Sequence, residues 1–98
     1  MKRQQKGGVM EAVNIRVKND GRLDVPKQLI TQLGGRAKRL SVEKKGKTIV
    51  VNPGGSRETA IDGRLRLKAQ EVSAIGLNPG DVANIKYVPN RNQISISS

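Results

Sequence analysis

Val13-Asn14-Ile15-Arg16-Val17-Lys18 alternates apolar and polar positions without a break. A period of two sends Val13, Ile15 and Val17 to one face and Asn14, Arg16 and Lys18 to the other, which predicts a half-buried strand. Asn19-Asp20-Gly21 is a turn signal, and Asp-Gly suggests a tight hairpin with positive φ at both central residues. The alternation resumes in Arg22-Leu23-Asp24-Val25, with Leu23 and Val25 inward and Asp24 in the outward row. There Asp24 is expected either to face solvent or to anchor a neighbouring arginine. Pro26 fixes φ and opens a short helix where a missing N–H is tolerated. Leu29, Ile30 and Leu33 form its apolar stripe, and Gly34-Gly35 ends it. A basic connector, Arg36 to Arg39, leads into a hairpin of Leu40–Val42 and Thr48–Val51 around the turn Glu43–Lys47.

Asn52-Pro53-Gly54-Gly55-Ser56 breaks the pattern, and then the pattern returns. Asp20-Gly21-Arg22-Leu23 recurs as Asp62-Gly63-Arg64-Leu65, 42 residues on, and Gln28 and Gly34 meet Gln70 and Gly76 at the same offset. Arg57 to Ile61 reads as a weak first strand. Leu65 and Leu67 point inward, while Arg64, Arg66 and Lys68 point outward. Ala69, Val72 and Ile75 supply a helical stripe, and Gly76 to Asp81 stops it. Val82–Val88 and Gln93–Ser97 close the chain as a hairpin across Pro89–Asn92. A repeat of this length implies a unit that cannot bury its own apolar face and needs a second copy. The expected organisation is a basic arm at 1–11 and one domain at 12–98, made of repeat one (12–53) and repeat two (57–98). Leu23, Val25, Leu33, Leu65, Leu67 and Ile75 should meet in its core.

Composition narrows the chemistry. The 98 residues include no Cys, His, Phe or Trp, and Tyr87 is the single aromatic, so Val, Ile and Leu must fill the core. Disulfides, zinc sites of the usual N/S type and nucleophile–histidine pairs are excluded. The carboxylates sit in no constellation that would tune a catalytic acid or base, and Asp20 and Asp62 read as turn residues. No enzymatic activity, cofactor, metal or small-molecule substrate is expected. No apolar run approaches a membrane span, and the basic start lacks an apolar signal region. A cytoplasmic protein is the expectation. Net charge is +11, from 19 Lys and Arg against 8 Asp and Glu, and residues 1–55 carry +9 of it. Such an excess in a small chain points to a polyanion, with solubility as the bland alternative.

The order strand, Gly-Arg, apolar–x–apolar-Pro, short helix, Leu-Gly, hairpin resembles the AbrB/SpoVT/MazE family of swapped-hairpin barrels. Gly21-Arg22-Leu23-Asp24-Val25-Pro26-Lys27-Gln28-Leu29 carries the first match. Gly63-Arg64-Leu65-Arg66-Leu67 with Ile75-Gly76-Leu77-Asn78-Pro79-Gly80-Asp81-Val82 carries the second. Two copies in one chain are similar to the MraZ branch. The resemblance implies a mainly β fold with two short helices, a swapped-hairpin or cradle-loop barrel of two ββαββ-like repeats. Related cradle-loop barrels share the Leu-x-Pro-Gly-Asp turn without binding DNA. By the resemblance, Arg16, Lys18 and Arg22, and Arg64 in the second copy, would face DNA. The chain departs from the family at Ile30 and Thr31, where AbrB-type helices often carry arginines, and at Lys68, which stands in place of the proline. An acidic toxin-wrapping tail of the MazE kind is missing, which argues against an antitoxin.

The residues alone lead to a similar expectation. Alternation sets Asn14, Arg16, Lys18 and Arg22 on one outward hairpin face and Arg64, Arg66 and Lys68 on its counterpart. Paired basic ribbons suit a duplex groove, where Arg reads guanine and Asn reads adenine. The arm residues Lys2, Arg3 and Lys6 either track phosphates or form a terminus without a role. The expected function is therefore a sequence-specific, double-stranded DNA-binding regulator, a nucleoid-associated homodimer. Two alternatives stand beside it: an RNA- or ribosome-binding basic protein, and a non-specific nucleoid protein. Single-strand binding is disfavoured, because it needs stacking aromatics.

Overall fold

The structure, a computed structural model, describes residues 12–34 and 39–98. The expected arm, with Lys2, Arg3 and Lys6, lies outside the described residues, as do Arg36 to Lys38 of the basic connector. The described chain is mainly β. Its first half runs β1 (Ala12–Arg16), β2 (Leu23–Val25), α1 (Lys27–Ile30) with a 3-10 turn (Thr31–Leu33), β3 (Arg39–Lys45) and β4 (Thr48–Pro53). The second half runs β5 (Arg57–Glu58), β6 (Leu65–Leu67), α2 (Ala69–Ser73), β7 (Val82–Val88), a 3-10 turn (Pro89–Arg91) and β8 (Gln93–Ser97). No helix among the described residues is long and apolar enough to cross a membrane.

The strands form an open six-stranded antiparallel sheet, in the order β1-β7-β8-β4-β3-β5, and a separate ribbon of β2 with β6. Pairing crosses between the halves. β1 lies on β7 (Val13 opposite Ile85), β5 on β3 (Arg57 opposite Leu40), and β8 on β4 (Ile94 opposite Val51). This corrects the expected hairpin of Val13–Lys18 with Arg22–Val25. A turn does join those segments, but β1 and β2 then part into different sheets. β2 instead meets β6, with Leu23 opposite Leu67, Asp24 opposite Arg66 and Val25 opposite Leu65. The hairpin of β3 and β4 is also tighter than expected. Lys44 and Lys45 lie in the ladder, and the loop is Gly46-Lys47, with Gly46 at φ 64°.

The period of two explains the layering. The inner faces of β2 and β6 supply Leu23, Val25, Leu65 and Leu67, all fully buried. Leu29, Leu33 and Val72 descend from the helical segments and Ile75 from the turn after α2, and Leu40, Ile49, Val51, Ala83, Ile85, Ile94 and Ile96 rise from the sheet to meet them in one cluster. The six expected core residues are all in it. Both helices are only about one turn long, so their stability comes from this burial rather than from helix propensity. The outer face of the ribbon is left to polar residues, and the candidate site is there.

Candidate nucleic-acid interface

Two turns of the same construction frame the site. In the first, Lys18 O accepts from Gly21 N–H (2.9 Å), Lys18 N–H donates to Arg22 O (2.9 Å), and Asp20 Oδ1 accepts from Arg22 N–H (3.0 Å). In the second, Ala60 O accepts from Gly63 N–H (2.9 Å), Ala60 N–H donates to Arg64 O (2.8 Å), and Asp62 Oδ1 accepts from Arg64 N–H (3.0 Å). Positive φ is confined to Gly21 (87°) and Gly63 (88°); Asp20 and Asp62 do not share it. The expected turn with two positive-φ residues is therefore corrected to a three-residue loop with glycine last. The aspartate is selected for its side chain, which caps the arginine amide.

Each turn docks on the helix of the other half. A Cβ on Gly21 would lie 3.0 Å from Ala69 Cβ, and one on Gly63 would lie 2.9 Å from Lys27 Cγ. Lys27 and Ala69 are the first residues of α1 and α2. Where turn and helix meet, a cleft opens. One, of about 510 Å³, is lined by Arg16, Lys18, Lys27, Arg64, Gln28, Asp24 and Asp62, among others. The other, of about 620 Å³, is lined by Arg22, Arg66, Lys68, Gln70 and Asp20 beside Leu67 and Ala69. Asp24 in the first cleft and Arg66 in the second are register partners across the ribbon, so both belong to its outer face.

Seven basic residues and three aspartates line the two clefts, an excess of positive charge with most side chains exposed. The aspartates aim the cations. Asp24 Oδ2 lies 2.8 Å from Lys18 Nζ and 3.6 Å from Arg64 Nη1. Asp20 Oδ2 lies 3.5 Å from Arg22 Nε. Asp62 Oδ2 lies 3.6 Å from Arg64 Nε and 3.9 Å from Arg66 Nη2. The Arg64 amide hydrogen bond, reinforced by the Arg64 and Arg66 charges, holds the Asp62 carboxyl below the usual carboxylate range. Of the two expected roles, Asp24 takes the second, pairing with an arginine, and with a lysine as well. It occupies the outward row yet is only 8% exposed, covered by Lys18 and Arg64.

Of the expected site residues, Arg16, Lys18 and Arg64 gather in one cleft and Arg22, Arg66 and Lys68 in the other. Arg16 is anchored, its Nη1 donating to Gly80 O at 2.7 Å. Asn14 lines neither of these clefts; its Oδ1 accepts from Asn84 Nδ2 across β1 and β7. Lys27 and Gln28 were not anticipated at the site. The glutamine that follows each turn, Gln28 and Gln70, was the available signal, because each lines a cleft beside the turn of the other half. Among the described residues no group of acidic side chains could hold a metal ion. Comparison with protein-family models, characterised proteins and solved structures gives no match.

Proposed function

We propose that this chain is a sequence-specific, double-stranded DNA-binding transcriptional regulator, an AbrB-like swapped-hairpin barrel with two copies of its unit in one chain. One observation carries the functional reading: Arg16, Lys18, Arg22, Lys27, Arg64, Arg66 and Lys68 surround a two-stranded ribbon whose other face is core. A basic ribbon with arginines standing off its ends can enter a groove, set phosphate contacts along both rims and present guanidinium groups to base edges. Crosswise strand pairing supports the two-copy barrel. So do turns with the same hydrogen bonds 42 residues apart, Lys18 with Arg22 and Ala60 with Arg64.

The protein acts in the cytoplasm, at the nucleoid, as a homodimer whose two chains face a palindromic site. It performs no catalysis. Enrichment of bound duplexes from a random library, followed by a protection footprint, tests the reading. A defined protected sequence with affinity well above random duplex is the expected result. Equal affinity for all duplexes makes it a non-specific nucleoid protein, and preference for structured RNA in competition makes it an RNA binder; either overturns the proposal. Light scattering at micromolar concentration tests the dimer, which a mass near that of one chain excludes.

A further inference from the structure

Ile61 has no place in the core. Its relative exposure is 109%, against 45% for Val82, the other exposed large apolar residue among those described. Isolated apolar side chains on a surface are common and need no special cause. The setting of Ile61 is less ordinary. It follows Ala60 at the tip of the second turn, whose backbone is closed by the Gly63–Ala60 and Ala60–Arg64 hydrogen bonds. The turn is braced against Lys27 through Gly63 and tied by Asp62 to Arg64. The side chain is thus held out on a supported tip, next in sequence to Asp62, which lines the first cleft with Arg64. The same place in the first turn, 42 residues earlier, is Asn19.

Among groove-facing base edges, the thymine C5-methyl is the apolar feature of the major groove, and adenine offers the paired donor and acceptor that an amide side chain matches. We propose that Ile61 is a specificity-determining residue that packs on a thymine methyl, while Asn19 hydrogen-bonds a base edge at the other end of the ribbon. The inference rests on the duplex-binding reading above and deepens it. The two halves share an arginine after the turn and differ at its tip, so each chain reads a site whose two halves are unlike. The flanks differ as well, with Lys27 in the cleft beside the Ile61 turn and Ala69 in the cleft beside the Asn19 turn.

The experiment uses the duplex enriched by the wild-type protein. Each thymine is replaced singly by deoxyuridine, which lacks only the methyl group. One replacement is expected to weaken wild-type binding about fourfold, the value of one buried methyl-sized group. Ile61→Ala is expected to bind the thymine and uracil duplexes alike, at the wild-type affinity for uracil, with an unchanged melting temperature. Ile61→Asn is expected to move the preferred base at that position toward adenine. Wild-type indifference to every uracil replacement overturns the inference. So does an Ile61→Ala variant that loses the same affinity on both duplexes, or one that keeps its affinity while its mass in light scattering falls, which would make Ile61 a contact between copies. A library that yields no preferred duplex is a separate failure, read at the enrichment step, and removes the functional proposal together with this one.

Discussion

The Lys18 ammonium lies 2.8 Å from Asp24 Oδ2, and among the described residues Asp24 is the one charged residue that is buried. Neither carboxylate oxygen has a hydrogen-bond partner among the described residues, so the approach is a charge contact rather than an aligned bond. Arg64 supplies a second, looser charge at 3.6 Å. A carboxylate in this position is tolerable only while cations cover it. Lys18 and Arg64 therefore hold the ribbon's outer face as well as offering charge to a ligand.

Lys18→Ala should lower stability by about 1–2 kcal/mol, because it leaves the Asp24 carboxylate with Arg64 alone. Asp24→Asn in the same chain should recover most of that loss. Urea melts of the two single variants and the double variant measure the coupling. Additive effects would show that the contact carries no energy.

The Asp-Gly turns should tolerate alanine poorly, and unequally. Gly21 and Gly63 both sit at positive φ, which costs an L-residue roughly 1–2 kcal/mol. At Gly21 the new Cβ would also press on Ala69 Cβ, which is fixed to its helix; at Gly63 it meets the Lys27 side chain, which can swing aside. Gly21→Ala should therefore destabilise more than Gly63→Ala in thermal or urea melts, although the two turns have the same local sequence.

Most elements were legible, because a period of two or a helical stripe depends on local spacing alone. Leu23, Val25, Leu65 and Leu67 are buried as alternation requires, and the hairpin of Val82–Val88 with Gln93–Ser97 stands at its expected bounds. Partner choice was not legible. Nothing in Val13–Lys18 says that β1 will lie on β7 rather than on β2, because local spacing fixes which face a side chain takes and not which strand lies alongside. The burial of Asp24 was hidden for the same reason: it depends on Arg64, brought over by the pairing of β2 with β6. Lys27 entered the site through the Gly63 turn of the other half.

Acid should act on the second turn late. The Asp62 carboxyl is held below its ordinary value by the Arg64 amide and the two guanidinium charges. A depressed folded-state value means that its contribution is present at neutral pH and is lost only as pH falls through that value, beneath the ordinary carboxylate range. A carbon-detected titration should give Asp62 a midpoint beneath the usual carboxylate range. Asp62→Asn should keep the Arg64 amide bond, since an amide oxygen still accepts, while removing this acid dependence. A midpoint at or above the ordinary value would contradict the arrangement.

Arg22→Ala and Arg64→Ala should separate binding from folding. Both arginines are more than half exposed and both follow an Asp-Gly turn, but their tethers differ. Arg22 pairs with the exposed Asp20, a contact of the kind that contributes little. Arg64 also covers the buried Asp24. Arg22→Ala should keep the wild-type melting temperature, and Arg64→Ala should lose a few degrees, less than Lys18→Ala, because its guanidinium stands farther from Asp24. If each reads a base, each substitution should cost roughly 1–3 kcal/mol on the preferred duplex and relax preference at one position. Lys27→Ala, at a phosphate-type position, should instead weaken every duplex alike and reduce the salt dependence of binding by about one contact, a slope change near 0.9. Titrations of the three variants at several salt concentrations, on preferred and random duplexes, distinguish these outcomes. If Arg22→Ala and Arg64→Ala bind both duplexes with wild-type affinity, the ribbon's outer face is a solvated surface, and DNA contact must be sought elsewhere on the chain.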